Sequence, residues 1–159
     1  PAGEYRPADQ HGPAQNVPRP TRPEGMNLET PEAMEKFINY WNDMRNYALQ
    51  TGDISVLNSL IDENFTQEKE YYLVLEDIYK TGGWVIGGTR TIHLNKDLLV
   101  SEGEGTYTIA SNFDMENTVL WYGGEARAYD NSDNVHRGIA LTVQFNQGEW
   151  TVLSAHEVN

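Results

Sequence analysis

The chain has 159 residues, no cysteine and a formal net charge of −13, a length that supports one domain with a core of its own. Such acidity repels phosphate backbones and anionic headgroups, so nucleic acid and a bare membrane surface are not expected partners. The lack of cysteine excludes disulfides, thiolate metal sites and a cysteine nucleophile, and no stretch has the ~18 apolar residues of a membrane span.

All seven prolines fall within the first 31 residues. Residues 1–28 show no apolar spacing of helix or strand type, and their three acids balance their three arginines. They are expected to form a disordered, proline-rich tether, and residues 29–159 a single folded domain holding 21 acids against eight bases. The chain opens on Pro rather than Met, which is read as removal of upstream sequence.

Thr30 and Pro31 predict the start of a first helix, as N-cap and first helical residue. Met34, Phe37, Ile38, Trp41, Met44 and Ala48 then recur at three and four residues and mark its buried stripe. Gly52 is placed as a left-handed C-cap. Asp53 or Ser55 is expected to cap a short second helix carrying Ile54, Leu57, Leu60 and Ile61. A third helix is expected from Thr66 to about Lys80, with Tyr71, Val74, Leu75 and Ile78 inward.

From Trp84 the apolar period becomes alternating. Five strands are expected near 84–94, 98–112, 117–129, 135–146 and 149–158, joined by turn-forming runs at 130–134 and 146–148. Short links favour antiparallel pairing, giving an α+β architecture with helices before a sheet. Gly87, Gly88, Gly103, Gly105, Gly123, Gly124 and Gly138 are read as bends within strands. A strongly curved antiparallel sheet under N-terminal helices would form a cone with a pocket.

The order helix–TGD–helix, third helix and bent meander resembles the cone fold of nuclear-transport-factor-2-like proteins, ketosteroid isomerases and polyketide cyclases. More narrowly, Pro23-Glu24-Gly25, "FINYWNDMRNYALQTGDISVL" and "IYKTGGWVIGG" are similar to a family of actinobacterial lipoproteins of unknown function. That resemblance covers residues 23–88; the strands match only in pattern. It implies a secreted protein, lipid-anchored to the outer face of the cell membrane through a cysteine upstream of residue 1, with the tail as tether. The family pattern's cysteine pair before the third helix is absent, since this chain reads "ENFTQE" at 63–68. The family assigns no catalytic residue.

Candidate chemistry is sparse. His156 shares strand parity with Trp150, Val152 and Val158, so alternation points it inward, as a hydrogen-bonded core residue or a general base. Glu125 is the acid placed best for isomerase chemistry, although a charged edge or convex face is the plainer reading. His93 and His136 fall near strand ends and His11 in the tail; no histidine pair has metal-ligand spacing, and neither metal nor cofactor is expected. Residues 130–134, "DNSDN", read as a turn rather than a calcium loop, because the glycine and distal glutamate are missing. "TGGWVIGGT" lacks the spacing and lysine of a phosphate loop.

The aromatic set is more informative. Trp41, Tyr72, Trp84, Tyr107 and Trp121 come from elements expected to line a cone, and with His156 they form the candidate pocket. A large aromatic core is the plainer reading. The expected function is a non-enzymatic binding or accessory module taking a small apolar molecule or an envelope protein. The alternatives are a small isomerase- or cyclase-type enzyme and a homodimeric structural module.

Overall fold

The computed structural model describes residues 3–132 and 138–158. Helix α1 spans Pro31–Thr51 and α2 Thr66–Lys80. The strands are β1 (Trp84–Gly87), β2 (Arg90–Gly103), β3 (Thr106–Met115), β4 (Thr118–Tyr122), β5 (Glu125–Tyr129), β6 (Gly138–Asn146) and β7 (Glu149–Val158). All pairings are antiparallel, in a four-stranded sheet ordered β2-β3-β6-β7 and a three-stranded sheet ordered β1-β4-β5. The helices pack on these curved sheets, so the fold is the expected α+β cone.

The start of α1 follows the sequence closely. Thr30 Oγ1 accepts from the Ala33 amide, Pro31 opens the first turn, and Gly52 closes the helix at φ 75°. The predicted stripe is buried throughout, with Trp41 at 1% exposure. The second helix reduces to one 3-10 turn over Leu57–Leu60. Its apolar residues are buried as expected, but Ile61 already pairs with Val152 and the Asp62 amide bonds Val152 O, so the chain is extended there. In α2 the buried stripe is Glu68, Tyr72, Leu75 and Ile78, while Val74 is 55% exposed. Leu75 and Ile78 are buried as expected and Tyr71 is half-buried; apolar spacing missed Glu68 and Tyr72, which share that face.

Among the described residues seven strands stand where five were expected. The first expected run breaks at Gly87-Gly88 and the third at Gly123-Gly124; all four glycines have positive φ, which turns the chain rather than bending a strand. The second break falls at Gly103–Gly105, further along than expected. Curvature comes instead from irregularities. Strand β2 slips register against β3 between Asn95 and Leu99, and β7 slips against β6 between Thr142 and Val143. Val135 and His136, with Asp133 and Asn134 of the expected turn, lie outside the described residues.

The β7 slip corrects one expectation directly. Val152 faces Val143 and Ser154 faces Thr142, leaving Leu153 as the extra residue. Beyond it Ala155 and Glu157, opposite Leu141 and Ile139, take the parity that borders the interior; Ala155 is half-buried, and His156 and Glu157 are both exposed. A bulge shifts alternation by one residue.

Residues 3–28 form no helix or long strand and lie against the domain. Arg6 and Gln15 exchange two backbone bonds of 2.9 Å in a small hairpin. Tyr5 donates to Gln50 (2.5 Å), Arg19 pairs with Asp53 (3.0 Å), and Trp84 Nε1 donates to Asp9 O (2.8 Å). Arg19 and Arg22 sit over the rings of Tyr47 and Tyr40, Met26 is buried, and Trp150 Nε1 donates to Leu28 O. Most of these contacts are hydrogen bonds, one ion pair and arginine–aromatic faces, which leave no apolar periodicity in the sequence.

Candidate functional site

The six candidate pocket residues occupy separate places. Trp41 and Tyr72 join in the core, where Trp41 Nε1 donates to the Tyr72 hydroxyl at 2.9 Å. Trp84 and Trp121 are register partners on β1 and β4, stacked with ring centres 5.6 Å apart. Tyr107 lies 5.7 Å from the Trp150 ring and donates to Glu29 Oε2 at 2.5 Å. His156 is on the outer face. Of the six, only Trp41 borders either of the two larger cavities described below. Glu125 is exposed on β5, and His93 pairs with Asp114 at the surface (2.6 Å).

A buried charge cluster stands beside Trp41. Arg45 lies one turn beyond it on α1 and reaches α2, where Nε and Nη2 donate to the two oxygens of Glu68 at 2.5 and 3.1 Å. Burial disfavours both charges, but their mutual attraction and hydrogen bonds win, holding Glu68 below its usual range and raising Arg45. Burial, then Glu68, raises the Tyr72 hydroxyl.

Arg90, at the start of β2, is 6% exposed. Its backbone is clamped to α1: Asn42 Nδ2 and Asn46 Nδ2 both donate to Arg90 O at 2.8 Å, and the Arg90 amide donates to Asn46 Oδ1 at 2.9 Å. Its guanidinium lies 4.2 Å from the Phe113 ring centre and 5.0 Å from that of Trp41. Nε donates to Asn42 Oδ1 at 2.7 Å, whereas the buried Nη2 has no hydrogen-bond partner. Burial, and then the neighbouring Arg45, push its pKa down.

Two cavities meet at Tyr71, whose ring lies 4.3 Å from the Arg45 guanidinium. The first, of about 280 Å³, is walled by Trp41, Arg45, Phe65, Gln67, Glu68, Tyr71, Arg90, Phe113, Ile139, Ala155 and Glu157. The second, of about 320 Å³, lies between α2, the end of α1 and the small sheet. Leu49, Tyr71, Val74, Leu75, Ile78, Val85, Gly88, Met115, Thr118, Leu120, Tyr129 and Asn131 line it, without any Asp, Glu, His, Lys or Arg. Tyr79 closes the nearby seam by donating to Leu49 O (2.5 Å) and accepting from the Val85 amide (3.3 Å); burial pushes its hydroxyl up to about 12.

Arg45, Glu68 and Arg90 were not singled out by the sequence, whereas Tyr71 was expected only on the inward face of its helix. One signal was present: Arg45 and Glu68 each stand four residues from a core aromatic, Trp41 and Tyr72, and so share its helix face. Arg90 gave no such signal. Among the described residues no group of three or more His, Asp or Glu is placed to hold a metal ion, and no helix is long and apolar enough to cross a membrane.

Comparison with known proteins adds a family and a fold. The profile of a family of unknown function (DUF6318) matches residues 3–156, nearly the whole chain, including the segment before α1. No curated protein matches. Among solved structures, the intermembrane space region of the chloroplast protein ARC6 superposes with a TM-score of 0.54. It is 13% identical, over 81% of this chain and 96% of that one, which is a likeness of fold alone. A variant of Rd1NTF2_05 gives a TM-score of 0.43 at 12% identity, over 80% and 97% of the two chains; the fold assignment rests on the elements described above. The chain belongs to the DUF6318 family.

Proposed function

We propose that this member of the family is a non-enzymatic binding module that takes a small apolar molecule into the 320 Å³ cavity beside α2. The observation that carries the reading is the cavity's lining: aliphatic walls with Tyr71, Tyr129, Thr118 and Asn131 as polar points, and no charged group or histidine. That balance is the usual one for a ligand site, and it supplies no acid, base or nucleophile of ordinary reactivity near neutral pH. The isomerase- or cyclase-type alternative loses its two named residues, because Glu125 and His156 are exposed and border neither large cavity. A protein partner remains the second reading, favoured by Leu73 and Val74, adjacent on α2 and both more than half exposed.

Native mass spectrometry of the chain, after incubation with small-molecule and lipid extracts, is expected to show a discrete added mass. Val74→Trp should abolish it, since the indole enters the cavity from an exposed position at little cost in stability. Persistence of the mass in that variant, or its absence from every extract, would refute the reading. The same proposal places the module outside the cytoplasm, held to the membrane by an upstream lipid anchor; its support is the resemblance of residues 23–88. Detergent-phase partitioning of the full-length product checks it, and a full-length protein that stays in the aqueous phase overturns it.

A further inference from the structure

We infer that the cavity walled by Arg90 is a second, separate site, built to bind a small monocarboxylate with a flat apolar body. A guanidinium carries five N–H donors in a fixed fork, yet in Arg90, among the described residues, only Nε is hydrogen-bonded, to Asn42, and the buried Nη2 has no hydrogen-bond partner. The backbone of Arg90 is fixed by Asn42 and Asn46, and its faces lie against Trp41 and Phe113. Rings cover the faces of the cation and leave its edges short of acceptors.

Glu68 does not fill the role, because Arg45 engages both of its oxygens at 2.5 and 3.1 Å. In the buried part of the wall Arg45, Glu68 and Arg90 carry one net positive charge; the fourth charged lining residue, Glu157, is exposed at the rim. A monoanion balances that charge. A doubly charged phosphate would overshoot it and face the Glu68 carboxylate. Carboxylate geometry also matches the guanidinium fork. The remaining wall, with Phe65, Tyr71 and Phe113, is flat and apolar and suits an aryl or alkyl body. Glu157, exposed at the rim, adds a second carboxylate to the lining, whose charge opposes an entering anion.

The test uses the full chain and benzoate as probe, with benzamide as its uncharged isostere and inorganic phosphate as a second anion. Benzoate at millimolar concentration should shift the assigned Arg90 Nε–H resonance of the wild-type protein saturably, and benzamide and phosphate should not. This readout needs no variant and stays decisive if Arg90 substitutions unfold the chain. Glu157→Gln should tighten benzoate binding severalfold, and a folded Arg90→Lys should weaken it by tenfold or more. Equal shifts from benzamide, or no shift from benzoate, would overturn the inference, as would a folded Arg90→Lys with unchanged affinity. Val74→Trp should leave benzoate binding unchanged, so failure of the apolar-cavity reading and failure of this one are told apart.

Discussion

Replacing Glu68 with Gln isolates the electrostatic part of the core. Gln keeps the volume, so no cavity forms, but it removes the charge opposite Arg45, and both side chains are at most 13% exposed. Arg45 would then be left buried beside Arg90 with a neutral partner. Breaking one side of a buried pair costs about 3–5 kcal/mol, which in a chain of this length lowers Tm on the order of 10 °C. The pH dependence supplies a second reading. In the fold, burial alone would raise the Glu68 carboxyl, but Arg45 outweighs it and holds the pKa below the usual 4.5. A depressed carboxylate contributes stability above its unfolded pKa and loses it as pH falls through the folded one. The wild type should therefore lose stability more steeply than Glu68→Gln below about pH 4.5, and the two should converge in acid. Urea titrations at pH 7 and at steps down into acid measure both effects. A cost under about 1 kcal/mol at pH 7, or parallel curves in acid, would show that the pair is screened and refute the argument.

Tyr72→Phe removes the hydroxyl that accepts from Trp41 Nε1 and should cost about 1–3 kcal/mol in denaturant titration; a cost within error would mean another acceptor takes over. Gly52→Ala adds a Cβ that would meet Tyr79 Cβ at 2.5 Å, at φ 75°, and should destabilise by at least 1–3 kcal/mol, which thermal melts would show. Hydrogen exchange should find the Arg6 and Gln15 amides slower than free coil, because they pair across the N-terminal hairpin. Coil-like exchange there, with ready proteolytic trimming of residues 1–28, would restore the free tether expected from composition.

The helical half was legible because its information is local. Thr30, Pro31 and Gly52 mark the ends of α1 by their own chemistry, and the stripe from Met34 to Ala48 is buried as its spacing requires. The α+β class followed from the change of period at Trp84. Strand alternation failed at Leu153, since one extra residue exchanges His156 for Glu157, and nothing in the local sequence announces a bulge. The charge cluster was hidden for a related reason: Arg45, Glu68 and Arg90 are polar letters at buried positions, and only the long-range approach of α1, α2 and β2 brings them together. Trp84, Trp121 and Tyr107 misled in the opposite way, because aromatic residues pack cores and seams as readily as they line cavities.

The segment before α1 changes what an attachment upstream of it would do. As a free coil, residues 3–28 would span roughly 30 Å and let the domain swing in any direction. Their contacts instead hold Tyr5 against Gln50 and Asp9 against Trp84, beside Leu49 and Val85 of the apolar cavity wall. Whatever is joined ahead of residue 3 is therefore moored at that end of the molecule, and the segment sets the domain's bearing rather than its reach.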